Sequence, residues 1–263
     1  MKQLPFILLI FILFVTGCGQ ASGSSSDVTE EIELTISAAA SMTDSLNEIT
    51  EAFEKENPDI KVTYNFGGSG TLRKQIEQGA PIDLFFSASK KDYQLLAEGG
   101  FVKEGSAIFR NKLVFLQQDD GPMNSLDDFI NSDGKIAIGT PEAVPAGTYA
   151  EQALKELGVW EQLQGRIVFT KDVRQVLNVV KEGGVKLGMV YSSDLYGEEK
   201  VEIVWEVDPS LHEEIEYFAA SLKDNQEDDA RAEAVERFYR YMQNEDSMKV
   251  FAKNGFDTEA PVN

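Results

Sequence analysis

Five positions in this chain share one chemistry: Ser41, Ser69, Ala146, Val173 and Tyr191. Ser41 follows the stretch Thr35-Ile36-Ser37-Ala38-Ala39-Ala40, Ser69 follows Val62-Thr63-Tyr64-Asn65-Phe66 after Gly67-Gly68, and the Ala146-Gly147 turn and Val173 sit at comparable helix starts. Tyr191 closes Leu187-Gly188-Met189-Val190. In an open α/β sheet such strand exits face the ligand crevice, and the following helices turn free N–H groups and positive dipole ends toward it. Hydroxyls and backbone N–H groups, without Lys, Arg or a base that titrates near neutral pH, suit a small, fully ionised oxyanion. Each charge-assisted hydrogen bond is worth about 1.5 to 3 kcal/mol net, and each helix dipole about 0.3 to 1 kcal/mol. Four or five such donors reach the roughly −8 kcal/mol of micromolar binding.

Each position also has a plainer reading. Ser41 taken alone is a helix N-cap, and Tyr191 a rim aromatic. Ala146 and Val173 are packing residues, since a backbone donor leaves no side-chain signature. Gly67-Gly68-Ser69-Gly70 resembles a nucleotide loop, but no Gly-Lys-Ser/Thr follows it. Asp83 and Asp194 brace loops rather than touch an anion, and His212, the single histidine, lies in the solvated stretch Leu211-His212-Glu213-Glu214.

The elements that position these residues follow from periodicity. Ile32, Leu34 and Ile36 alternate as a strand, and Leu46, Ile49 and Phe53 fall at helical spacing up to Asn57-Pro58. Val62, Tyr64 and Phe66 form a strand, Leu72 and Ile76 a helix ending at Gly79, and Asp83-Leu84-Phe85-Phe86 a buried strand. Tyr93, Leu95 and Leu96 mark a helix closed by Gly99-Gly100. The second half repeats the plan with strands at 112–116, 135–139, 167–169 and 187–190. Between the last two, Asp172 N-caps a helix with Val173, Val176, Leu177 and Val180 on one face. Val201, Ile203 and Trp205 alternate, Ile215, Tyr217 and Phe218 open a further strand, and helices over 230–242 and 247–253 close the chain. Strands separated by helices imply right-handed crossovers and an α/β fold with parallel sheet.

The ends place the protein. Lys2, an apolar run from Leu4 to Val15 and then small residues make residues 1–17 a secretory signal, too short for a comfortable membrane span. Val15-Thr16-Gly17-Cys18 resembles the bacterial lipobox, which implies cleavage before Cys18 and a diacylglycerol thioether on it. Residues 18–30 then form a Gly/Ser-rich tether. The mature chain has no further cysteine, so its stability comes from its core. A formal net charge of −21 argues against nucleic-acid binding. It does not exclude an anion, because surface carboxylates are largely screened beyond a Debye length of about 8 Å.

Ala38-Ala39-Ala40-Ser41-Met42-Thr43, Gly67-Gly68-Ser69-Gly70-Thr71-Leu72, Gly79-Ala80-Pro81-Ile82-Asp83-Leu84-Phe85-Phe86-Ser87-Ala88, Val144-Pro145-Ala146-Gly147-Thr148-Tyr149-Ala150, Asp172-Val173-Arg174 and Gly188-Met189-Val190-Tyr191-Ser192-Ser193-Asp194 come in a fixed order over nearly all of the mature chain. Together they resemble the molybdate-binding proteins of bacterial ABC importers. The resemblance implies an α/β, two-lobed type II periplasmic-binding fold, each lobe a central mixed, mostly parallel sheet flanked by helices, with the ligand cleft between lobes. It places lobe 1 at 31–112 plus 213–263 and lobe 2 at 113–212. It implies that molybdate or tungstate is held by the Ser41 and Ser69 hydroxyls, the N–H groups of Ala146 and Val173, and the Tyr191 hydroxyl. The only metal is then the one inside the oxyanion, with no cofactor and no catalytic residue. The chain departs from the family at Ser69, which is flanked by glycines where relatives often carry several serines; more weight falls on Ser69 itself.

Three function classes follow. The first is a lipid-anchored extracytoplasmic receptor, a monomer, that delivers molybdate or tungstate to a membrane permease. The second is a receptor of the same architecture for another oxyanion such as sulfate; phosphate suits the site less, since it keeps a proton near neutral pH and calls for a carboxylate acceptor. The third, a serine hydrolase, lacks both a Gly-x-Ser-x-Gly elbow and a histidine near the strand exits.

Overall fold

The computed structural model describes residues 31–119, 121–223 and 228–259; the signal segment, Cys18 and the tether lie outside them. β1 (Ile32–Ala39) runs through a short 3-10 turn (Ala40–Met42) into α1 (Thr43–Glu56), β2 (Ile60–Gly67) into α2 (Ser69–Glu77), and β3 (Leu84–Ser87) into α3 (Lys90–Glu98), followed by β4 (Val102–Arg110). Then come β5 (Leu113–Gln118), α4 (Leu126–Ile130), β6 (Ile136–Gly139), α5 (Pro145–Glu156), α6 (Trp160–Leu163), β7 (Ile167–Thr170), α7 (Val173–Lys181), β8 (Leu187–Tyr191) and β9 (Val201–Glu206). β10 (Glu216–Leu222), α8 (Asp229–Tyr241) and α9 (Glu245–Lys253) complete the described chain. None of these helices is long and apolar enough to cross a membrane.

The strands form two five-stranded sheets, ordered β2-β1-β3-β10-β4 and β7-β6-β8-β5-β9. Each sheet with its helices makes one lobe. Both are mixed by the same logic. β1 pairs in parallel with β2 and β3, and β6 with β7 and β8, as the helical crossovers require. β10, which returns from the second sheet, lies antiparallel between β3 and β4, and β5, which arrives from the first, lies antiparallel between β8 and β9. The chain crosses between lobes after β4 and again after β9.

The helical stripes bury as their spacing predicts. Leu46, Ile49 and Phe53 of α1 and Val173, Val176, Leu177 and Val180 of α7 are all in the core, and each such side chain contributes about 1.5 to 3 kcal/mol. An aromatic cluster fastens α9 and the end of the described chain to the first sheet. Phe109 packs on Phe251 and Phe256 with ring centroids 4.5 and 4.7 Å apart, and Arg110 and Asp257 exchange two backbone hydrogen bonds of 2.9 Å. Tyr217 is wedged into this cluster, 5.1 Å from Phe109 and 5.3 Å from Phe256. That packing fixes a buried phenol at the hinge, next to the first strand exit.

Two elements differ from the sequence reading. β4 has no alternating pattern, because Val102-Lys103-Glu104-Gly105-Ser106 is a half-exposed edge strand that is held by β10 rather than by its own apolar face. α6 is only four residues long, with Trp160 and Leu163 buried, too short for a periodic signal.

Candidate oxyanion site

Ser41 does not cap α1: Met42 holds that position, and Ser41 sits in the middle of the 3-10 turn that joins β1 to the helix. Its hydroxyl stands 2.7 Å from Tyr217 Oη on β10, at the core of the lobe interface. Ser69 opens α2 after the N-cap Gly68, and its Oγ accepts the N–H of Ala88, just past β3, at 3.0 Å. Both serines are thus held by hydrogen bonds from neighbouring strands, which locks their rotamers against the cleft.

The second lobe supplies the other three. Pro145 takes the first position of α5, where its fixed φ suits the helix and its missing N–H costs nothing. Ala146 follows, and its N–H belongs to the first turn, which has no intrahelical acceptor. The glycines Gly139 and Gly147 let this turn seat on the end of β6: a Cβ on Gly147 would fall 2.0 Å from the Gly139 carbonyl oxygen. Val173 is the first residue of α7, and Asp172 caps the helix by accepting the Gln175 N–H at 2.8 Å, leaving the Val173 N–H uncommitted by the cap. Tyr191 ends β8, with its backbone N–H bound at 3.0 Å by Asp194 Oδ2.

Contacts across the interface draw these exits together. The Tyr191 and Tyr217 rings meet edge to face at 5.9 Å, so Ser41 and Tyr191 share one neighbour. Gly70 N–H donates to the Ala143 carbonyl at 3.1 Å, and the Tyr149 hydroxyl reaches the Ala88 carbonyl at 3.5 Å, joining the Ser69 exit to the start of α5. α7 packs against the Ser41 turn, and Arg174 pairs with Asp44 at 3.0 Å. All five candidate residues are buried.

The electrostatics follow from that burial. Tyr191 Oη is buried with no hydrogen-bond partner among the described residues, and burial pushes its phenol well above the usual range. A neutral hydroxyl with no acceptor among the described residues is therefore buried at the end of β8. Asp194 is buried as well; desolvation raises its carboxyl to about 7, against the opposing pull of Arg174 and the Tyr191 N–H. Asp83 lies apart from the site, where it accepts the Thr35 N–H at 2.7 Å and pairs with Arg231 through two bonds of 2.8 Å.

The profile of the bacterial extracellular solute-binding protein family matches residues 34–257. The chain belongs to this family. The solute-binding protein is 42% identical over 255 residues to YvgL of Bacillus subtilis (strain 168), described as a candidate ABC transporter substrate-binding lipoprotein, with 95% of this chain and 96% of that one aligned. It is 34% identical over 255 residues to the molybdate-binding protein ModA of Haemophilus influenzae, covering 94% and 96% of the two chains. Its structure superposes on the periplasmic molybdate-binding protein of Azotobacter vinelandii with a TM-score of 0.74 at 25% identity, over 85% of this chain and 98% of that one. The two sheets of the solute-binding protein are the two lobes of that fold.

Three residues that sequence reasoning did not single out lie beside the candidate donors: Tyr217 and Asn111 by Ser41, and Tyr149 by the Ser69 exit. Each lies in a run that reads only as strand, loop or helix face, and no spacing links them to Ser41 or Ser69. A groove of about 620 Å³ is lined by Arg73, Ser89, Lys90, Glu142, Tyr149 and Glu216 among others. It carries both signs of charge and includes none of the five candidate residues.

Proposed function

We propose that this solute-binding protein captures molybdate or tungstate outside the cytoplasm and hands it to the membrane permease of an ABC importer. The Ser41 and Ser69 hydroxyls, the Ala146 and Val173 N–H groups and the Tyr191 hydroxyl bind the oxyanion oxygens, and no bond of the ligand is made or broken. The observation that carries the reading is the buried Tyr191 hydroxyl, without a hydrogen-bond partner among the described residues, beside the Ser41 exit where the lobes meet. A dianion in that cleft gives the phenolic proton an acceptor, and the relatives named for molybdate support the choice of oxyanion. Lobe 1 spans 31–112 plus 213–263 and lobe 2 spans 113–212; the oxyanion meets one lobe first, and closure brings the other lobe's donors onto it. Residues 1–17 are removed, Cys18 takes the lipid and residues 18–30 tether a monomer to the outer face of the membrane. YvgL, described as a lipoprotein, supports the anchor.

Titration calorimetry of the full chain with molybdate, tungstate, sulfate and phosphate in parallel tests this reading. Molybdate and tungstate should bind at micromolar affinity or tighter, with little dependence on salt because the donors are neutral. Tighter binding of sulfate overturns the molybdate assignment in favour of a sulfate receptor. Ser41→Ala and Ser69→Ala should each weaken molybdate by about 1.5 to 3 kcal/mol through a lost charge-assisted bond.

A further inference from the structure

Asn111 sits where the chain first passes from one lobe to the other, between β4 and β5. Its partners fix the orientation of its amide. The Lys112 N–H can only donate, and it lies 2.9 Å from Asn111 Oδ1, which also accepts from Ser192 Oγ at 3.0 Å. Nδ2 therefore faces the other way, and its two protons meet two acceptors, Ser193 Oγ at 2.8 Å and Tyr217 Oη at 3.3 Å.

Tyr217 Oη thus accepts from Asn111 and stands 2.7 Å from Ser41 Oγ; these are its hydrogen-bond partners among the described residues. Tyr217 is wholly buried. Were Ser41 the donor in that contact, the phenolic proton of Tyr217 would be left without an acceptor in a site closed to water, a costly arrangement. In the other order, from Asn111 to Tyr217 and from Tyr217 to Ser41, the proton left over is that of Ser41, which keeps 5% exposure where Tyr217 has none, so that order costs less.

We propose that Asn111 and Tyr217 form a one-way hydrogen-bond relay that spends the acceptor side of Ser41 and keeps its hydroxyl proton for a ligand oxygen in the cleft. Tyr217 is then a positioning residue for Ser41. Ser69 is prepared in the same way by a simpler device, since the Ala88 N–H that it accepts can only donate. The relay is assembled at the hinge: Asn111 grips Ser192 and Ser193 of one lobe and Tyr217 of the other. Closure and the polarity of Ser41 are set by the same amide. The inference rests on the oxyanion reading of Ser41.

Molybdate titration of the full chain tests it through a double-mutant cycle. Tyr217→Phe should weaken molybdate about tenfold, Ser41→Ala at least as much, and the double variant should match Ser41→Ala within about twofold. A purely structural tyrosine would lower affinity whether or not Ser41 is present, so losses that multiply in the double variant overturn the relay and leave the oxyanion reading standing. If Ser41→Ala binds molybdate as tightly as the parent, the oxyanion reading of Ser41 fails and the relay falls with it. Should Tyr217→Phe fail to fold, Asn111→Asp completes the cycle. A carboxylate there accepts the phenolic proton, so Ser41 must donate to Tyr217 and turn away from the cleft. The added charge weakens anion binding in both backgrounds; the relay requires a loss several-fold larger with Ser41 than with Ala at 41, and equal losses overturn it.

Discussion

Gly70 donates its N–H to the carbonyl of Ala143 at 3.1 Å, so the two lobes touch backbone to backbone beside Ser69. A Cβ on the preceding Gly68 would lie 2.4 Å from the same carbonyl oxygen, and one on Gly70 2.9 Å from the carbonyl oxygen of Glu142. The cleft closes here more tightly than any side chain allows.

Gly68→Ala should therefore hold the lobes apart without harming either one. Gly68 has φ −71° and ψ 132°, a backbone that alanine adopts freely, so only the space across the cleft opposes it. The expected result is molybdate affinity at least tenfold weaker, about 1.4 kcal/mol, with ligand-free thermal unfolding unchanged. Parental affinity in calorimetry would show that binding does not need this contact.

Tyr191→Phe should separate binding from stability. The hydroxyl that it removes has no partner among the described residues, so the ligand-free protein loses nothing and its unfolding temperature stays level or rises. Molybdate affinity should fall by about 1.5 to 3 kcal/mol, roughly 10- to 150-fold. A thermal-shift series with and without molybdate reads both effects, and a drop in the ligand-free protein contradicts the assignment.

Asp194 should make stability depend on pH. The unfolded carboxyl releases its proton near 3.8, whereas the buried one keeps it to about 7. Between those values the folded chain holds more protons, so stability falls as pH rises through the window, and the full penalty is present above about 7. The penalty is on the order of 4 kcal/mol from the linkage relation. Asp194→Asn keeps an acceptor for the Tyr191 N–H and removes the titration. Its stability advantage over the parent should be small at pH 4 and grow toward pH 8; an advantage constant over that range refutes the account.

The Arg174 to Asp44 pair spans the lobes at 3.0 Å but is partly exposed on both sides. Asp44→Asn should cost about 0.2 to 1 kcal/mol of molybdate affinity, and the cost should vanish in molar salt. Arg174→Gln should in addition raise the Asp194 carboxyl further, since Arg174 is the charge that opposes the rise. Measuring both variants at two ionic strengths distinguishes the screened pair from the buried effect.

Periodicity and punctuation located much of the architecture. The stripe Val173, Val176, Leu177, Val180 with its Asp172 cap, the alternation of Ile32, Leu34 and Ile36, and Gly67-Gly68-Ser69 after a strand each describe a local preference that tertiary packing did not override. β4 escaped because an edge strand held by its neighbour needs no apolar face of its own.

The candidate donors divide along the same line. The strand exits and helix starts at Ser41, Ser69, Ala146, Val173 and Tyr191 are marked by short-range patterns in the chain, whereas their reading as one donor set rests on the order of motifs that resembles the molybdate-binding proteins. What the sequence alone could not determine is which way each proton points. That depends on Asn111, Tyr217 and Ala88, brought to Ser41 and Ser69 from 70, 176 and 19 positions away. Hydrogen-bond direction and burial are properties of contacts between distant segments, and only the packing of β10 and the hinge against the Ser41 turn decided them.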